Sequence, residues 1–126
     1  MALANILIVD DEADVKNVIK RGLEITGFNV KSECDPLEAL ANFRAEVYAI
    51  ALLDVRMPNM DGFELYEKMS HIDGRMKVCF LTAFDVEYFE KFKDRFPHIP
   101  TRCFIKKPVS IRNIIEMVKS ELGTAA

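Results

Sequence analysis

Short apolar runs alternate along this chain with segments whose apolar residues recur every three or four positions. The longest such run covers residues 47–53, and another covers residues 5–9. Runs of this length predict strands that are buried on both faces of a sheet. Strands that alternate with helices form parallel sheets, because a parallel connection needs a crossover. The pattern therefore predicts five parallel strands and five helices.

Local signals mark where several helices begin and end. Gly27 follows the first helical segment and predicts its end. Asp35 is suited to cap the second helix, with Pro36 in its first turn. Residues 85–96 predict the fourth helix, and Gly123 is expected to close the fifth.

Composition excludes several classes of protein. A length of 126 residues is typical of one domain. The net charge of −3 lacks the excess of basic residues that nucleic-acid binding requires. No apolar run approaches the ~20 residues of a membrane helix, and we expect no signal peptide because residues 6–9 are too short for its apolar core. The three cysteines lack CxxC spacing, which predicts reduced thiols rather than a disulfide framework or a zinc site. We therefore expect a cytoplasmic single domain over residues 1–126, without a nucleic-acid or membrane partner.

Polar residues collect where the predicted strands end. Asp10 and Asp11 follow the first strand, Asp54 ends the third, Thr82 ends the fourth and Lys107 follows the fifth. In open α/β sheets these ends meet along one edge, where ligands bind. Three carboxylates at that edge need compensation, since each pair 4 Å apart repels by about 4 kcal/mol at an effective dielectric near 20.

This set of groups is suited to phosphoryl chemistry. Mg²⁺ prefers oxygen ligands and uses carboxylates together with water and phosphate. The Lys107 ammonium and the Thr82 hydroxyl could hold phosphoryl oxygens, which leaves Asp54, on the central strand, as the nucleophile. Each residue alone also has a structural interpretation: Asp11 or Glu12 can be a helix cap, and Thr82 a turn residue. The combination from four of five strand ends favours one phosphoryl site.

Four motifs, in this order, resemble the receiver domain of two-component response regulators over essentially the whole chain. They are ILIVDDE at residues 6–12, LDVRMPNMDG at 53–62, LTA at 81–83 and KP at 107–108. The resemblance implies a flavodoxin-like, doubly wound five-stranded parallel sheet of order 2-1-3-4-5, with five helices on both faces. It also implies a phosphorylation-operated switch.

The resemblance assigns roles to individual residues. Asp54 resembles the phosphoacceptor, which takes a phosphoryl group from a sensor histidine kinase or a phosphotransfer protein. Asp10 and Asp11 resemble the acidic pair that holds Mg²⁺ together with Asp54, and the backbone carbonyl of Arg56 is a further expected ligand. Lys107 is the family lysine because it directly precedes a proline.

The same resemblance implies how the switch signals. Thr82 resembles the switch hydroxyl that moves toward the phosphoryl group, and Phe104 resembles the aromatic residue that turns inward on activation. These changes are expected to alter the surface of the fourth helix, fifth strand and fifth helix, where an output domain or partner binds. Lys106 is expected to point away from the site, because side chains alternate along a strand.

Three departures from the family pattern stand out. Val109 replaces a frequent phenylalanine, and 24 residues separate Thr82 from Lys107, with residues 96–100 carrying the excess. Arg56 and Phe84 are bulky residues beside the expected acyl phosphate. We therefore predict that Arg56 and Phe84 hinder the attacking water and prolong the phosphorylated state.

Two other functions remain as alternatives. One is a receiver-like docking module that is never phosphorylated, which the complete set of site residues disfavours. The other is a small aspartyl-nucleophile phosphatase of the haloacid dehalogenase type, which Arg56 disfavours because an acid is expected there. The expected chemistry is self-catalysed phosphotransfer and autodephosphorylation, not that of a conventional enzyme. The last residues leave no room for an output domain, so we expect a stand-alone receiver or a piece of a longer regulator.

Overall fold

The computed structural model describes residues 4–83, 90, 93–100, 103–108 and 110–123. Its five strands form one parallel sheet in the order β2-β1-β3-β4-β5, which confirms the predicted topology. The strands are β1 (Asn5–Val9), β2 (Asn29–Glu33), β3 (Ile50–Asp54), β4 (Lys77–Thr82) and β5 (Phe104–Lys106).

Helices connect these strands. Those with defined bounds are α1 (Ala13–Thr26), α2 (Pro36–Asn42), α3 (Gly62–Ile72) and a final helix (Ile111–Glu121). Within the predicted fourth helix, Glu90 and residues 93–95 are helical, and most of the remainder lies outside the described residues. Because α1 packs with the final helix and α2 packs with α3, helices cover both faces of the sheet.

The strand burial follows from the apolar runs. Every residue of β3 is buried, whereas β2 at the sheet edge is only partly buried. The predicted strand at residues 47–53 begins later, at Ile50. Val47 is exposed, and its carbonyl oxygen accepts a hydrogen bond from the Asn5 side chain, so it belongs to the preceding loop.

Capping residues confirm the predicted helix boundaries. Gly27 ends α1 in the left-handed conformation with φ 115°, and Gly123 follows the final helix with φ 68°. The Asp35 side chain accepts a hydrogen bond from the Leu37 amide at 2.9 Å, with Pro36 at the first position of α2. Glycine adopts the left-handed conformation at a helix end without steric cost, and a short polar side chain caps a free backbone N–H at a helix start. Both kinds of residue are found at the predicted boundaries.

An aromatic cluster joins the sheet to α3. Phe80 of β4 is fully buried, and its ring lies 5.0 Å from that of Phe63 and 5.8 Å from that of Tyr66. Phe104 stacks on Phe80 from the neighbouring strand at 5.5 Å. Tyr66 also contacts Phe96, which is buried as predicted. The other aromatic residues of the predicted fourth-helix stripe, Phe89 and Phe92, lie outside the described residues.

The three cysteines are free thiols, as the sequence predicts: Cys34 is exposed, whereas Cys79 and Cys103 are buried. Among the described residues, no helix combines the length and the apolar character needed to cross a membrane.

Candidate functional site

Strand register places the acidic residues together. Val9 of β1 lies opposite Leu53 of β3, so the residues that follow them, Asp10 and Asp54, are neighbours at the carboxyl edge of the sheet. Both side chains are buried. Carboxylate oxygens of Asp10, Glu12 and Asp54 all lie within 4.8 Å of one another. Two of the three carboxylates predicted to converge, Asp10 and Asp54, belong to this cluster, and its third member is Glu12 rather than Asp11.

Lys107 compensates part of the negative charge of this cluster. Its Nζ donates hydrogen bonds to Asp10 Oδ2 at 2.9 Å and to Glu12 Oε1 at 3.0 Å, and it lies 3.3 Å from Asp54 Oδ1. The backbone N–H of Lys107 donates to the carbonyl oxygen of Thr82 at 2.7 Å. Lys106 is exposed, as side-chain alternation predicts.

The site shifts the acidity of two of its groups. Burial and the charge of Asp10 raise the pKa of Asp54 to about 7, although Lys107 opposes the shift, and a hydrogen bond with Asp11 adds to it. Burial alone would lower the pKa of Lys107, but its hydrogen bonds to Asp10 and Glu12 raise that pKa above the usual value. A carboxyl group that titrates near neutrality, beside a lysine that stays charged, is typical of functional sites.

Glu12 is the member that sequence analysis did not select. It occupies the N-cap position of α1, but its side chain makes no capping hydrogen bond. Its backbone N–H donates to Asp10 Oδ1 at 2.9 Å, and its carboxylate turns to Lys107. A third acid after Asp10 and Asp11 is visible in the sequence. The direction of the Glu12 side chain depends on Lys107, which follows β5 far along the chain. The sequence alone therefore does not distinguish this contact from a helix cap.

A cavity of about 210 Å³ opens beside this cluster and is lined by Asp11, Glu12, Asp54, Arg56, Ala83 and Lys107. Asp11 and Arg56 are exposed at its rim. Thr82 is buried at the end of β4, and Phe104 is half-buried. Phe84 lies outside the described residues.

The loop after Asp54 is held against the sheet. The Val55 amide donates to the Leu81 carbonyl oxygen at 3.1 Å, and the Gly62 amide donates to the Val55 carbonyl oxygen at 2.8 Å. A Cβ on Gly62 would overlap the carbonyl oxygen of Asp54. Gly62 is therefore the residue that lets α3 begin directly behind Asp54.

Comparison with known proteins adds evidence from sequence. The model of the response regulator receiver domain matches residues 6–119. The C4-dicarboxylate transport transcriptional regulatory protein DctD of Rhizobium meliloti (strain 1021) is 33% identical over 82 residues, which are 65% of this chain and 18% of that protein. The response regulator receiver protein CpdR of Brucella abortus (strain 2308) is 25% identical over 123 residues, which cover 98% of this chain and 100% of that protein.

The fold comparison agrees. A response regulator receiver domain protein (CheY-like) from Methanospirillum hungatei JF-1 superposes with a TM-score of 0.79 at 29% identity, covering 97% of this chain and 95% of that chain. The chain spans only part of several longer relatives, between 7% and 34% of their length.

Proposed function

Because the chain belongs to the response regulator receiver domain family, we propose that it is a switch operated by phosphorylation of Asp54. Receiver domains are signalling modules rather than conventional enzymes, and they interact with sensor kinases and output domains. We further propose that residues 1–126 form a single receiver domain.

The observation that carries the proposal is the position of the Lys107 ammonium. It lies within 3.3 Å of Asp54 and contacts two further carboxylates, beside an open cavity. A carboxylate at the end of a buried central strand can accept a phosphoryl group. The neighbouring ammonium then stabilises the negative charge that the phosphoryl oxygens bring. A purely structural cluster has no need of a cavity at Asp54.

The proposed transfer is a displacement at phosphorus. An Asp54 carboxylate oxygen forms the new O–P bond while the bond from phosphorus to the imidazole nitrogen of a phosphohistidine donor breaks. The imidazole nitrogen keeps the electron pair of the broken bond and takes its proton from water. Lys107 binds a phosphoryl oxygen and offsets the charge that arrives on the Asp54 side chain.

The donor groups are suited to Mg²⁺. Oxygens of Asp10, Glu12 and Asp54 lie within 4.8 Å of one another, and hard oxygen ligands are those that Mg²⁺ prefers. We propose that Asp10, Asp11, Asp54 and the backbone carbonyl of Arg56 hold it. When bound, Mg²⁺ supplies positive charge against the phosphoryl oxygens, which a single ammonium offsets only in part.

We propose that Thr82 and Phe104 carry the signal away from the site. The Thr82 carbonyl oxygen is already tied to the Lys107 amide, and the Phe104 ring stacks on Phe80. A movement of Thr82 toward the phosphoryl group therefore acts on the strand pair that holds Phe104. The surface expected to change includes β5 and the final helix, where an output domain or protein partner binds.

We also propose that Arg56 and Phe84 set the lifetime of the acyl phosphate. Arg56 lines the cavity with Asp54, where an attacking water must approach in line with phosphorus. The double substitution Arg56→Ala with Phe84→Ala should speed dephosphorylation. An unchanged rate would refute this hindrance.

The decisive experiment is intact mass after incubation with Mg²⁺ and a small acyl-phosphate donor. We expect one phosphoryl group on the wild type, none on Asp54→Asn, and one on Asp94→Asn, which removes an exposed carboxylate from a different part of the structure. Phosphorylation of the Asp54→Asn protein would place the acceptor elsewhere. The absence of any addition to the wild type would favour the docking-module alternative.

A further inference from the structure

Glu12 carries a carboxylate that the proposed transfer leaves without a role. Its side chain is 60% exposed, yet it is turned from the helix it begins toward Lys107 Nζ, 3.0 Å away. Asp10, which shares the same ammonium, is fully buried. Lys107 is therefore held by one buried carboxylate and one solvent-exposed carboxylate.

The ammonium of Lys107 donates hydrogen bonds to Asp10 and Glu12 and also faces Asp54. A lysine ammonium has three N–H donors, and three carboxylates surround this one: Asp10 at 2.9 Å, Glu12 at 3.0 Å and Asp54 at 3.3 Å. A phosphoryl oxygen that binds Lys107 must therefore replace one of these acceptors.

Burial decides which acceptor leaves. Removing Lys107 from Asp10 would strand a charge in a fully buried place, which is strongly unfavourable. Phosphorylation removes the charge of the Asp54 carboxylate, so the donor that faces Asp54 passes to the phosphoryl group, and a second donor for that group must be released by Asp10 or Glu12. Glu12 can return its carboxylate to water at little cost, because exposed ion pairs contribute only about 0–1 kcal/mol.

We propose that Glu12 is a positioning residue for Lys107: it fixes the resting position of the ammonium and releases it when Asp54 is phosphorylated. This inference rests on the proposed function. It makes Glu12 a competitor of the phosphoryl group, so the Glu12–Lys107 ion pair favours the unphosphorylated state.

The surroundings leave room for the release. The Glu12–Lys107 pair lines both the cavity with Asp54 and a second cavity of about 390 Å³, whose other lining includes Val15, Ile19 and Pro108. The pair therefore lies at the boundary between the two cavities. The Glu12 side chain can therefore move away from Lys107 into solvent or into this second cavity.

The first test reports the ion pair without any metal or transfer. The rate at which the Lys107 ammonium protons exchange with water can be measured from its ¹H–¹⁵N correlation in metal-free protein. Its three acceptors should make this exchange slow. Glu12→Gln removes the charge, and Glu12→Asp keeps it but shortens the reach by one methylene. Both should speed this exchange, whereas Glu38→Gln, which changes an exposed glutamate in the first turn of α2, should not.

The second test reports the release. After phosphorylation, the Lys107 signals of the wild type and of Glu12→Gln should coincide, because Glu12 no longer contacts the ammonium. At saturating Mg²⁺ and acyl-phosphate donor, Glu12→Gln should transfer roughly two- to five-fold faster, the range expected for an exposed ion pair. Glu38→Gln should transfer at the wild-type rate.

The contrary outcomes are distinct. Slower transfer by Glu12→Gln with a higher half-saturating Mg²⁺ concentration would make Glu12 a metal ligand instead. Unaltered ammonium exchange in metal-free Glu12→Gln overturns the positioning role alone, and signals that still differ after phosphorylation overturn the release. A wild type that takes up no phosphoryl group overturns the proposed function, and the release with it.

Discussion

The backbone N–H of Gly62 donates a hydrogen bond to the carbonyl oxygen of Val55 at 2.8 Å, which closes the loop between β3 and α3 directly behind Asp54. At this point the start of α3 and the end of β3 touch backbone to backbone. A side chain on Gly62 would collide with the Asp54 carbonyl group and press on the Val55 Cα. The position of Asp54 thus depends on a residue that offers no chemistry.

Gly62→Ala should therefore destabilise the protein. The nearest atoms all belong to the backbone of Asp54 and Val55, so the new methyl group has no flexible neighbour to displace. Forced overpacking of this kind typically costs about 1–3 kcal/mol. Urea unfolding should show the loss. Gly74→Ala is the matched control, because its Cβ would lie at an ordinary 3.6 Å from the Ser70 carbonyl oxygen. Equal stability of the two variants would contradict the collision.

The hydrogen bond between Tyr66 and His98 should stabilise residues 96–100 against α3. The Tyr66 hydroxyl lies 3.1 Å from His98 Nε2, while its ring packs on Phe80 and Phe96. Tyr66→Phe keeps the ring and should cost about 0.5–1.5 kcal/mol of unfolding free energy.

A double-mutant cycle with His98→Ala measures the bond between these two side chains. The double variant should lose less than the sum of the two single losses. Additive losses would mean that the hydroxyl and the imidazole do not interact in solution.

Asp54→Asn should stabilise the metal-free protein, and increasingly so as the pH rises. The folded state raises the pKa of Asp54 from 3.8 to about 7, so it binds a proton more tightly than the unfolded chain does. The wild type therefore loses stability between about pH 4 and pH 7 as this proton leaves. From pH 5 to pH 8 the advantage of Asp54→Asn should grow by about 1–3 kcal/mol, because one pKa unit corresponds to about 1.4 kcal/mol.

Denaturant unfolding at both pH values, with chelator present, provides this measurement. Mg²⁺ added at pH 8 should reduce the advantage of the asparagine variant, since the ion stabilises the charged carboxylate. A constant advantage across the pH range would show that Asp54 titrates with an ordinary pKa.

Asp73 should show the opposite dependence on pH. Its carboxylate accepts backbone hydrogen bonds from Glu46 at 2.9 Å and from Arg75 at 3.0 Å, and these bonds lower its pKa. The stabilisation is therefore complete above the unfolded pKa of about 4 and is lost as the pH falls below it. Asp73→Ala should cost about 1–3 kcal/mol near neutrality, because two backbone N–H groups lose their acceptor.

Unfolding curves for Asp73→Ala at pH 7 and pH 3 should converge on the wild type at the lower pH. Asp94→Asn, at an exposed position, serves as the comparison and should differ little from the wild type at either pH. A pH-independent loss would assign the effect of Asp73 to packing rather than to its charge.

Much of the fold follows from local patterns. The buried runs, the glycine at the end of α1 and the Asp35 cap predict the strands and several helix boundaries, since each depends on neighbours in the sequence, whereas the strand order was implied only by the resemblance to receiver domains. The start of β3 was wrong by three residues, because a tertiary hydrogen bond from Asn5 holds Val47 in a loop. Hydrophobicity alone cannot distinguish an apolar loop from the strand that follows it.

The site was predictable as a set of residues but not as a network. Strand ends place Asp10, Asp54 and Lys107 together in any parallel sheet of this order. The contact between Glu12 and Lys107 depends instead on the rotamer of an exposed side chain and on where the residue after β5 lies relative to the start of α1. The exposed position of Asp11, which the sequence makes indistinguishable from Asp10, is likewise a consequence of how the chain turns into α1.

The contact between Asp10 and Lys107 joins residues 97 positions apart. On the ribosome, Asp10, Glu12 and Asp54 are synthesised well before Lys107, the lysine that contacts all three. A nascent chain that paired β1 with β3 early would bring like charges together without their internal cation, and such pairs repel. Closure of the acidic edge is therefore linked to the synthesis of β5, so that the sheet and its charge balance are completed together.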